Sequence, residues 1–184
     1  MSSEEHVTGV LLAAGAGTRF GMPKVLAEDG VWLQSAVSAL TGGGCDDVVV
    51  VLGAAVVEVP APARAVIAED WSQGLSASLR VGLAAATGAG RVVLHLVDTP
   101  DVGADVVRRV LESGADLARA VYNGRPGHPV LIAAAHWPAL LAGLSGDQGA
   151  RAFLSGRADV VAVECGDLAT GTDIDSPLDG SLSD

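Results

Sequence analysis

A glycine-rich segment near the start of the chain, VLLAAGAGTRFGMPK, contains the best candidates for a ligand-binding site. In it an apolar run is followed by three glycines and two cations: Gly15, Gly17, Arg19, Gly21 and Lys24. The run is typical of a buried strand, and the glycines are typical of a tight turn where the backbone can approach a ligand closely. Backbone N–H groups and two cations suit the oxygens of a triphosphate. The alternative is a glycine-rich turn with two solvated cations.

Two better-known phosphate loops do not match this segment. The Walker sequence G-x-x-x-x-G-K-[ST] needs a lysine directly after its last glycine, but two residues separate Gly21 from Lys24. The dinucleotide fingerprint G-x-G-x-x-G would place its third glycine at Phe20, one residue before Gly21. The spacing therefore disfavours both a P-loop ATPase and a dehydrogenase.

Carboxylates follow a second apolar run and recur near the end of the chain. Asp98 comes directly after the strand-like residues Arg91 to Val97, and Asp173 and Asp175 lie in the segment DIDSP. Because Mg²⁺ prefers oxygen ligands, we expect Asp98 to hold this metal at the end of its strand. The alternative for Asp98 is a turn or cap residue. Asp175 is either the second metal ligand or part of a helix start before Pro177, and both interpretations stay open.

Three further segments carry polar groups that suit a substrate. Ser76 and Ser78 lie near the start of a helix-like segment, where serines bond a base or ribose or, more commonly, cap the helix. The segment NGRPGH, which contains Arg125 and His128, is predicted to be a recognition loop between two strands. Arg151 lies near a helix start and either binds an anionic acceptor or is an ordinary surface arginine.

Alternating strand-like and helix-like patterns indicate the strands and helices that carry these residues. Buried strands are predicted over Val7 to Ala14, Val48 to Leu52 and Arg91 to Val97. This alternation implies βαβ units, and hence an α/β fold with a mainly parallel sheet between layers of helices. Leu117 to Tyr122 and Pro129 to Ile132 have no helix between them, which predicts an antiparallel hairpin. Ligands of parallel sheets bind beyond the carboxyl ends of the strands, which is where the glycine loop and Asp98 lie.

The composition indicates one globular domain over residues 1–184. Apolar residues make up 49% of the chain and charged residues 18%, which favours a sizeable core. The net charge of −11 disfavours binding to nucleic acid or to an anionic membrane. The acidic N-terminus and the lack of any apolar run of ~20 residues predict a cytoplasmic protein. Cys45 and Cys165 are expected to be reduced thiols packed in or near the core.

The glycine segment resembles the signature L-A-x-G-x-G-x-R-x-G-x-x-K of the nucleotidyltransferases that make sugar nucleotides and pterin dinucleotides. Later segments, in the same order as in the family, are similar to the molybdenum cofactor cytidylyltransferases and their guanylyltransferase relatives: VDTPDV, GRPGHPVLI, SGDQGARAFL and DIDSP. The resemblance implies a three-layer α/β/α sandwich with the Rossmann-like sheet of the nucleotide-diphospho-sugar transferases. It also implies Mg²⁺-dependent transfer of a nucleoside monophosphate from an NTP to the phosphate of molybdopterin, with release of pyrophosphate.

The same resemblance assigns roles by position. Arg19 and Lys24 would be catalytic, because they would neutralise charge that builds up on the leaving group. Asp98 and Asp175 would hold the metal. The nucleotide-binding set would be Leu12, Ala13, Ala14, Gly15, Ala16, Gly17, Arg19, Lys24, Ser76 and Ser78. The acceptor-binding set would be Arg125, Gly127, His128, Arg151 and Asp173.

Two positions bear on the substrates. Ala14 resembles the cytidylyl branch, because the guanylyl branch tends to have glycine there, so CTP is favoured over GTP. Val97 stands where the family usually has glycine before the metal-binding aspartate, and it narrows the site. Alternative functions are guanylyl transfer, transfer to another phosphorylated small molecule, and non-catalytic delivery of the cofactor. A molybdoenzyme that receives the product is the macromolecular partner implied by the resemblance.

Overall fold

The computed structural model describes residues 6–176. Within them lie the strands β1 Val7–Ala13, β2 Asp47–Leu52, β3 Arg64–Ile67, β4 Arg91–Leu96, β5 Leu117–Tyr122, β6 Arg125–Ala133 and β7 Val161–Glu164. They form one sheet in the order β3-β2-β1-β4-β6-β5-β7. In this sheet β6 runs antiparallel to both of its neighbours, and the other pairs are parallel. The mostly parallel sheet agrees with the prediction from sequence.

Helices cover both faces of the sheet. They are α1 Val31–Gly43, α2 Leu75–Ala85, α3 Ala104–Glu112, α4 Trp137–Gly143 and α5 Arg151–Leu154. The apolar sides of α1 and α3 pack into one core, and those of α2, α4 and α5 pack into a second core on the opposite face. The result is the three-layer α/β/α sandwich that the resemblance implied. Among the described residues, no helix has the length and apolar content needed to cross a membrane.

The sheet register brings the predicted site segments together. All seven residues of β1 are buried, as expected for a strand covered on both faces. β1 and β4 run parallel with Leu12 beside Leu96. The glycine loop after β1 and Asp98 after β4 therefore leave the sheet side by side, at the edge where such folds bind ligands.

The segment NGRPGH is not a loop throughout, so this part of the prediction was wrong. Only Asn123 and Gly124 form the turn between β5 and β6, with φ of 53° and 80°. A two-residue turn with both φ values positive matches the twist of a hairpin, and Asn-Gly is the usual sequence for it. Arg125 and His128 consequently lie on strand β6. The predicted antiparallel pairing itself is correct.

Neither cysteine should react with a thiol reagent while the protein is folded. Cys45 is 7% exposed and Cys165 is fully buried, as the sequence predicted. Burial, with a smaller contribution from Asp46, raises the pKa of the Cys45 thiol to about 12, so little nucleophilic thiolate forms at pH 8. We expect no rapid reaction with Ellman's reagent at pH 8 in buffer, and two thiols per chain in 6 M guanidinium as the control. Fast labelling of the native protein would contradict this packing.

Candidate active site

The glycine loop folds back on itself after β1. The amide of Gly21 donates to the carbonyl oxygen of Gly17 at 2.8 Å, and the amide of Ala54 donates to that of Ala14 at 2.9 Å. Gly17 has a φ of +62°, and a Cβ at this position would lie 1.9 Å from the carbonyl oxygen of Met22. Only glycine adopts this φ without strain and leaves room for the carbonyl of Met22, so the loop takes this closed shape because Gly17 has no Cβ.

A cavity of about 510 Å³ opens beyond the carboxyl ends of β1 and β4. Its walls include most of the residues predicted to bind nucleotide and metal: Leu12, Ala13, Ala14, Gly15, Ala16, Gly17, Arg19, Lys24, Ser78, Asp98 and Asp175. This volume lies within the ~300–1,000 Å³ of small-molecule sites. The lining also contains residues that were not predicted as site residues, among them Trp71, Leu75 and Asp147.

Lys24 joins the two predicted metal ligands. Its Nζ donates to Oδ2 of Asp98 at 2.8 Å and to Oδ1 of Asp175 at 3.1 Å. Burial alone would lower the pKa of Lys24, but hydrogen bonds and charge from Asp98 and then Asp175 outweigh it and raise the pKa. Lys24 therefore carries a full positive charge inside the cavity. Its Nζ bonds to only one oxygen of each carboxylate.

The two carboxylates fit a divalent cation. Oδ1 of Asp98 is buried and has no hydrogen-bond partner among the described residues, so this oxygen is available to a metal. Burial, followed by the charges of Asp98 and Asp175, raises the pKa of the neighbouring Asp173 to about 6. Within residues 6–176, no group of three or more acidic, His or Cys side chains forms a complete metal site. Water and phosphate oxygens would fill the remaining coordination positions of the metal, as is usual for Mg²⁺.

Hydrogen bonds hold the segment that carries Asp175 next to Asp98, although the two residues are far apart in the sequence. The amide of Ile174 donates to the carbonyl oxygen of Asp98 at 2.9 Å. Oδ2 of Asp101 accepts from the Thr170 amide at 2.7 Å and from the Thr170 hydroxyl at 2.6 Å. Asp101 thus anchors the segment that carries Asp175 and does not line the cavity.

Ser76 lies behind the cavity wall, whereas Ser78 lines it. The hydroxyl of Ser76 donates to the carbonyl oxygen of Ser145 at 3.0 Å and accepts from the amide of Gly149 at 3.2 Å. Ser76 therefore holds the loop that places Asp147 in the wall. The residue predicted to contact nucleotide instead fixes a neighbouring loop.

The predicted acceptor residues lie in two places. Asp173 lies beside the carboxylates, close enough for their charges to act on it. Arg125, Gly127 and His128 lie on β6, and Arg151 begins α5, so none of these four lines the nucleotide cavity. Burial, followed by the charge of the nearby Arg119, lowers the pKa of His128 to about 4, so this imidazole is neutral at pH 7. The structure does not bring these residues together with the glycine loop.

The fold agrees with what comparison with known proteins finds. The model of a family described as "MobA-like NTP transferase domain" matches residues 9–161. The chain belongs to this family. It is an enzyme of the nucleotidyltransferase class, and the resemblance drawn from the sequence is confirmed at this level.

Individual relatives cover nearly the whole chain. A protein named nicotine blue oxidoreductase from Paenarthrobacter nicotinovorans is 39% identical over 92% of each chain. The crystal structure of Rv0371c from Mycobacterium tuberculosis is 30% identical, covers 96% of each chain and has a TM-score of 0.80. A manganese complex of Rv0371c is 28% identical over 92% of this chain and 94% of its own, with a TM-score of 0.70.

Proposed function

We propose that this protein is a cytoplasmic, Mg²⁺-dependent nucleotidyltransferase that joins CMP from CTP to the phosphate of a molybdopterin-type acceptor. One observation carries the proposal: the glycine loop, Lys24 and the carboxylates of Asp98 and Asp175 face a single cavity of nucleotide size. Membership of the MobA-like family supports the reaction class. A molybdoenzyme is the proposed recipient of the product.

The proposed reaction is a displacement at the α-phosphorus. An oxygen of the acceptor phosphate forms a bond to this phosphorus, the bond to the β-phosphate oxygen breaks, and its electron pair leaves with pyrophosphate. Because the acceptor is already an anion, it needs no strong base, and positioning and charge supply the catalysis. Arg19 and Lys24 bind the triphosphate and neutralise the charge on the leaving group.

The metal would be held by Asp98 and Asp175. When bound, a divalent cation supplies positive charge beside the phosphates. The buried, unpartnered Oδ1 of Asp98 supports this assignment from the chain itself. The manganese complex of the related Rv0371c supports a divalent cation in this family. Mg²⁺ and CTP remain our proposals, the latter on the basis of Ala14.

A second candidate function is that of an oxidoreductase. It is favoured by the relative named nicotine blue oxidoreductase, which is 39% identical over 92% of both chains. The glycine loop argues against it, because Phe20 occupies the position of the third glycine of a dinucleotide site. The pair of carboxylates around Lys24 also has no evident use in hydride transfer.

Pyrophosphate release tests the proposal. The purified protein would be incubated with molybdopterin, Mg²⁺ or Mn²⁺, and CTP, GTP or ATP, with reactions lacking acceptor or metal as controls. A parallel assay would follow oxidation of NADH and NADPH with heterocyclic dyes as acceptors. We expect metal-dependent release with CTP and no hydride transfer.

The other outcomes separate the alternatives. Release with GTP alone would assign guanylyl transfer and show that Ala14 does not select the base. Binding of NTP without release would indicate another phosphorylated acceptor or a delivery role. Oxidation of a nicotinamide cofactor without any pyrophosphate release would support the oxidoreductase and overturn the proposal.

A further inference from the structure

Residues 165–175, which contain no helix or strand, run from the end of β7 to the two proposed metal ligands, and we call them the C-terminal strap. At the start of the strap, Cys165 is fully buried, and its amide donates to a carbonyl oxygen of β5 at 2.8 Å. Near its end, the amide of Ile174 donates to the carbonyl oxygen of Asp98 at 2.9 Å. The path of the strap between these two points therefore determines where Asp175 lies.

Polar side chains fasten the strap to the rest of the fold, but they do so at the surface. Arg109 donates to the two carboxylate oxygens of Asp167 at 2.6 and 3.1 Å. These two side chains are 39% and 62% exposed. The carboxylate of Asp101, which accepts two hydrogen bonds from Thr170, is exposed as well. Exposed polar pairs contribute little to stability, so these bonds alone do not fix the strap firmly.

A buried contact between Tyr122 and Gly171 holds the middle of the strap. Tyr122 is the last residue of β5 and is 3% exposed. Gly171 has a φ of +65°, and a Cβ at this position would lie within 2.5 Å of three atoms of the Tyr122 ring. The ring is confined from another direction, since a Cβ on Gly127 would lie 2.7 Å from its Cε2. Its hydroxyl also donates to the carbonyl oxygen of His128, so the ring cannot readily move away from the strap.

Apolar side chains of the strap pack into the core that contains this tyrosine. Leu168, Ala169 and Ile174 are partly buried against the cluster that includes Tyr122. Because burial of apolar surface is independent of charge, this packing persists at salt concentrations that screen the surface ion pairs. Ile174 directly precedes Asp175 in the chain. The packing of the strap thus fixes the backbone from which the Asp175 carboxylate extends.

We propose that the contact between Tyr122 and Gly171 is a positioning element of the metal site, because it holds the strap in the path that brings Asp175 to Asp98. Neither Tyr122 nor Gly171 lines the nucleotide cavity, so both act through Asp175. This inference rests on the proposed function, in which Asp175 is the second metal ligand. It has a reciprocal consequence. If docking of the strap strengthens metal binding by some factor, metal binding must strengthen docking by the same factor.

Mn²⁺ is the probe for the first test, with binding followed by electron paramagnetic resonance in the absence of nucleotide. We expect Gly171→Ala to weaken Mn²⁺ binding at least tenfold, because the added Cβ would strike the Tyr122 ring and displace the strap. Gly156→Ala is the matched control and should bind like the wild type, since Gly156 has a φ of +72° but no atom within 4 Å of an added Cβ. Tyr122→Leu removes the ring without adding an atom to the strap, and it should also weaken binding.

A double-mutant cycle tests whether Gly171 acts through Asp175. In Asp175→Asn the metal has lost this carboxylate, so the path of the strap should no longer matter. We expect Gly171→Ala to change Mn²⁺ affinity less than twofold in this background, against at least tenfold in the wild type. An equal effect in both backgrounds would overturn the proposal, as would wild-type affinity in Gly171→Ala.

Hydrogen exchange measures docking of the strap without reference to metal or activity. The amide of Ile174 is protected while it bonds to Asp98, and release of the strap exposes it to exchange. We expect this amide to exchange at least tenfold faster in Gly171→Ala, while the amides of β1 keep their protection. Tyr122→Phe retains the ring and should exchange like the wild type. Mg²⁺ should slow the exchange of Ile174 in the wild type. Unchanged exchange in Gly171→Ala would overturn the proposal.

Kinetics would separate this inference from the proposed function. In Gly171→Ala the Mg²⁺ concentration for half-maximal pyrophosphate release should rise at least tenfold, while saturating Mg²⁺ restores at least half of the wild-type kcat. A kcat that stays low at saturating Mg²⁺ would overturn the positioning role. If no NTP gave pyrophosphate, the proposed function would fail, and the Mn²⁺ cycle would still decide the inference. Wild-type Mn²⁺ affinity in Asp175→Asn would overturn the inference and leave the transfer reaction to the pyrophosphate assay.

Discussion

Replacement of Asp98 by asparagine should lower kcat/KM for pyrophosphate release by about 10³-fold, which corresponds to ~4 kcal/mol of lost transition-state stabilisation. Asparagine has nearly the same shape, but it replaces a charged carboxylate with a neutral amide. Oδ1 of Asp98, which is buried and has no hydrogen-bond partner among the described residues, would lose its negative charge and so bind a metal less tightly. In our proposal the second ligand is Asp175. Its side chain is 57% exposed, so we expect that this carboxylate alone does not hold the cation.

The loss should be a loss of metal binding and not of folding. Lys24 keeps its bond to Asp175 in the variant, so the cavity retains one of its two ion pairs. Mn²⁺ binding, followed by electron paramagnetic resonance with and without NTP, should weaken at least tenfold, while circular dichroism stays that of the wild type. Asp159→Asn is the matched control, because Asp159 is an exposed carboxylate paired with Arg157 away from the cavity. Wild-type activity in Asp98→Asn would remove Asp98 from the metal site.

The parts of this structure that sequence predicts well are those with a local signal. The strand before the glycine loop is an unbroken apolar run, and the loop has glycine where a Cβ would strike Met22. Because parallel strands end at one edge of a sheet, Asp98 could be placed next to that loop without knowledge of the register. The family resemblance then related these segments to one reaction.

Interactions between distant segments had no such signal. Asp101 anchors Thr170 across 69 residues, and nothing in the type or spacing of either residue indicates this bond. Ser76 was predicted to contact nucleotide, but it bonds to a loop 69 to 73 residues away. Such features depend on packing between elements, which local patterns do not encode.

The shape of the glycine loop makes Gly17→Ala the second variant with a large expected effect. Alanine at this position must adopt a left-handed conformation, which costs about 1–2 kcal/mol. It must also move the carbonyl of Met22, because the new Cβ would lie 1.9 Å from that oxygen. Asparagine would not rescue the loop, since it tolerates the backbone angle but carries the same Cβ. The loop must therefore open, and the 2.8 Å bond from Gly21 to Gly17 is lost.

We expect the KM for the NTP to rise at least ~30-fold in Gly17→Ala, equivalent to ~2 kcal/mol of binding free energy. Gly114→Ala is the matched control, because Gly114 has nearly the same φ of +67° but no atom within 4 Å of the added Cβ. It lies after α3 and away from the cavity, so it should lose stability but keep its KM. Equal effects of both variants on KM would mean that backbone strain alone, and not the closed loop, explains the loss. An unchanged KM in Gly17→Ala would show that the NTP does not use this loop.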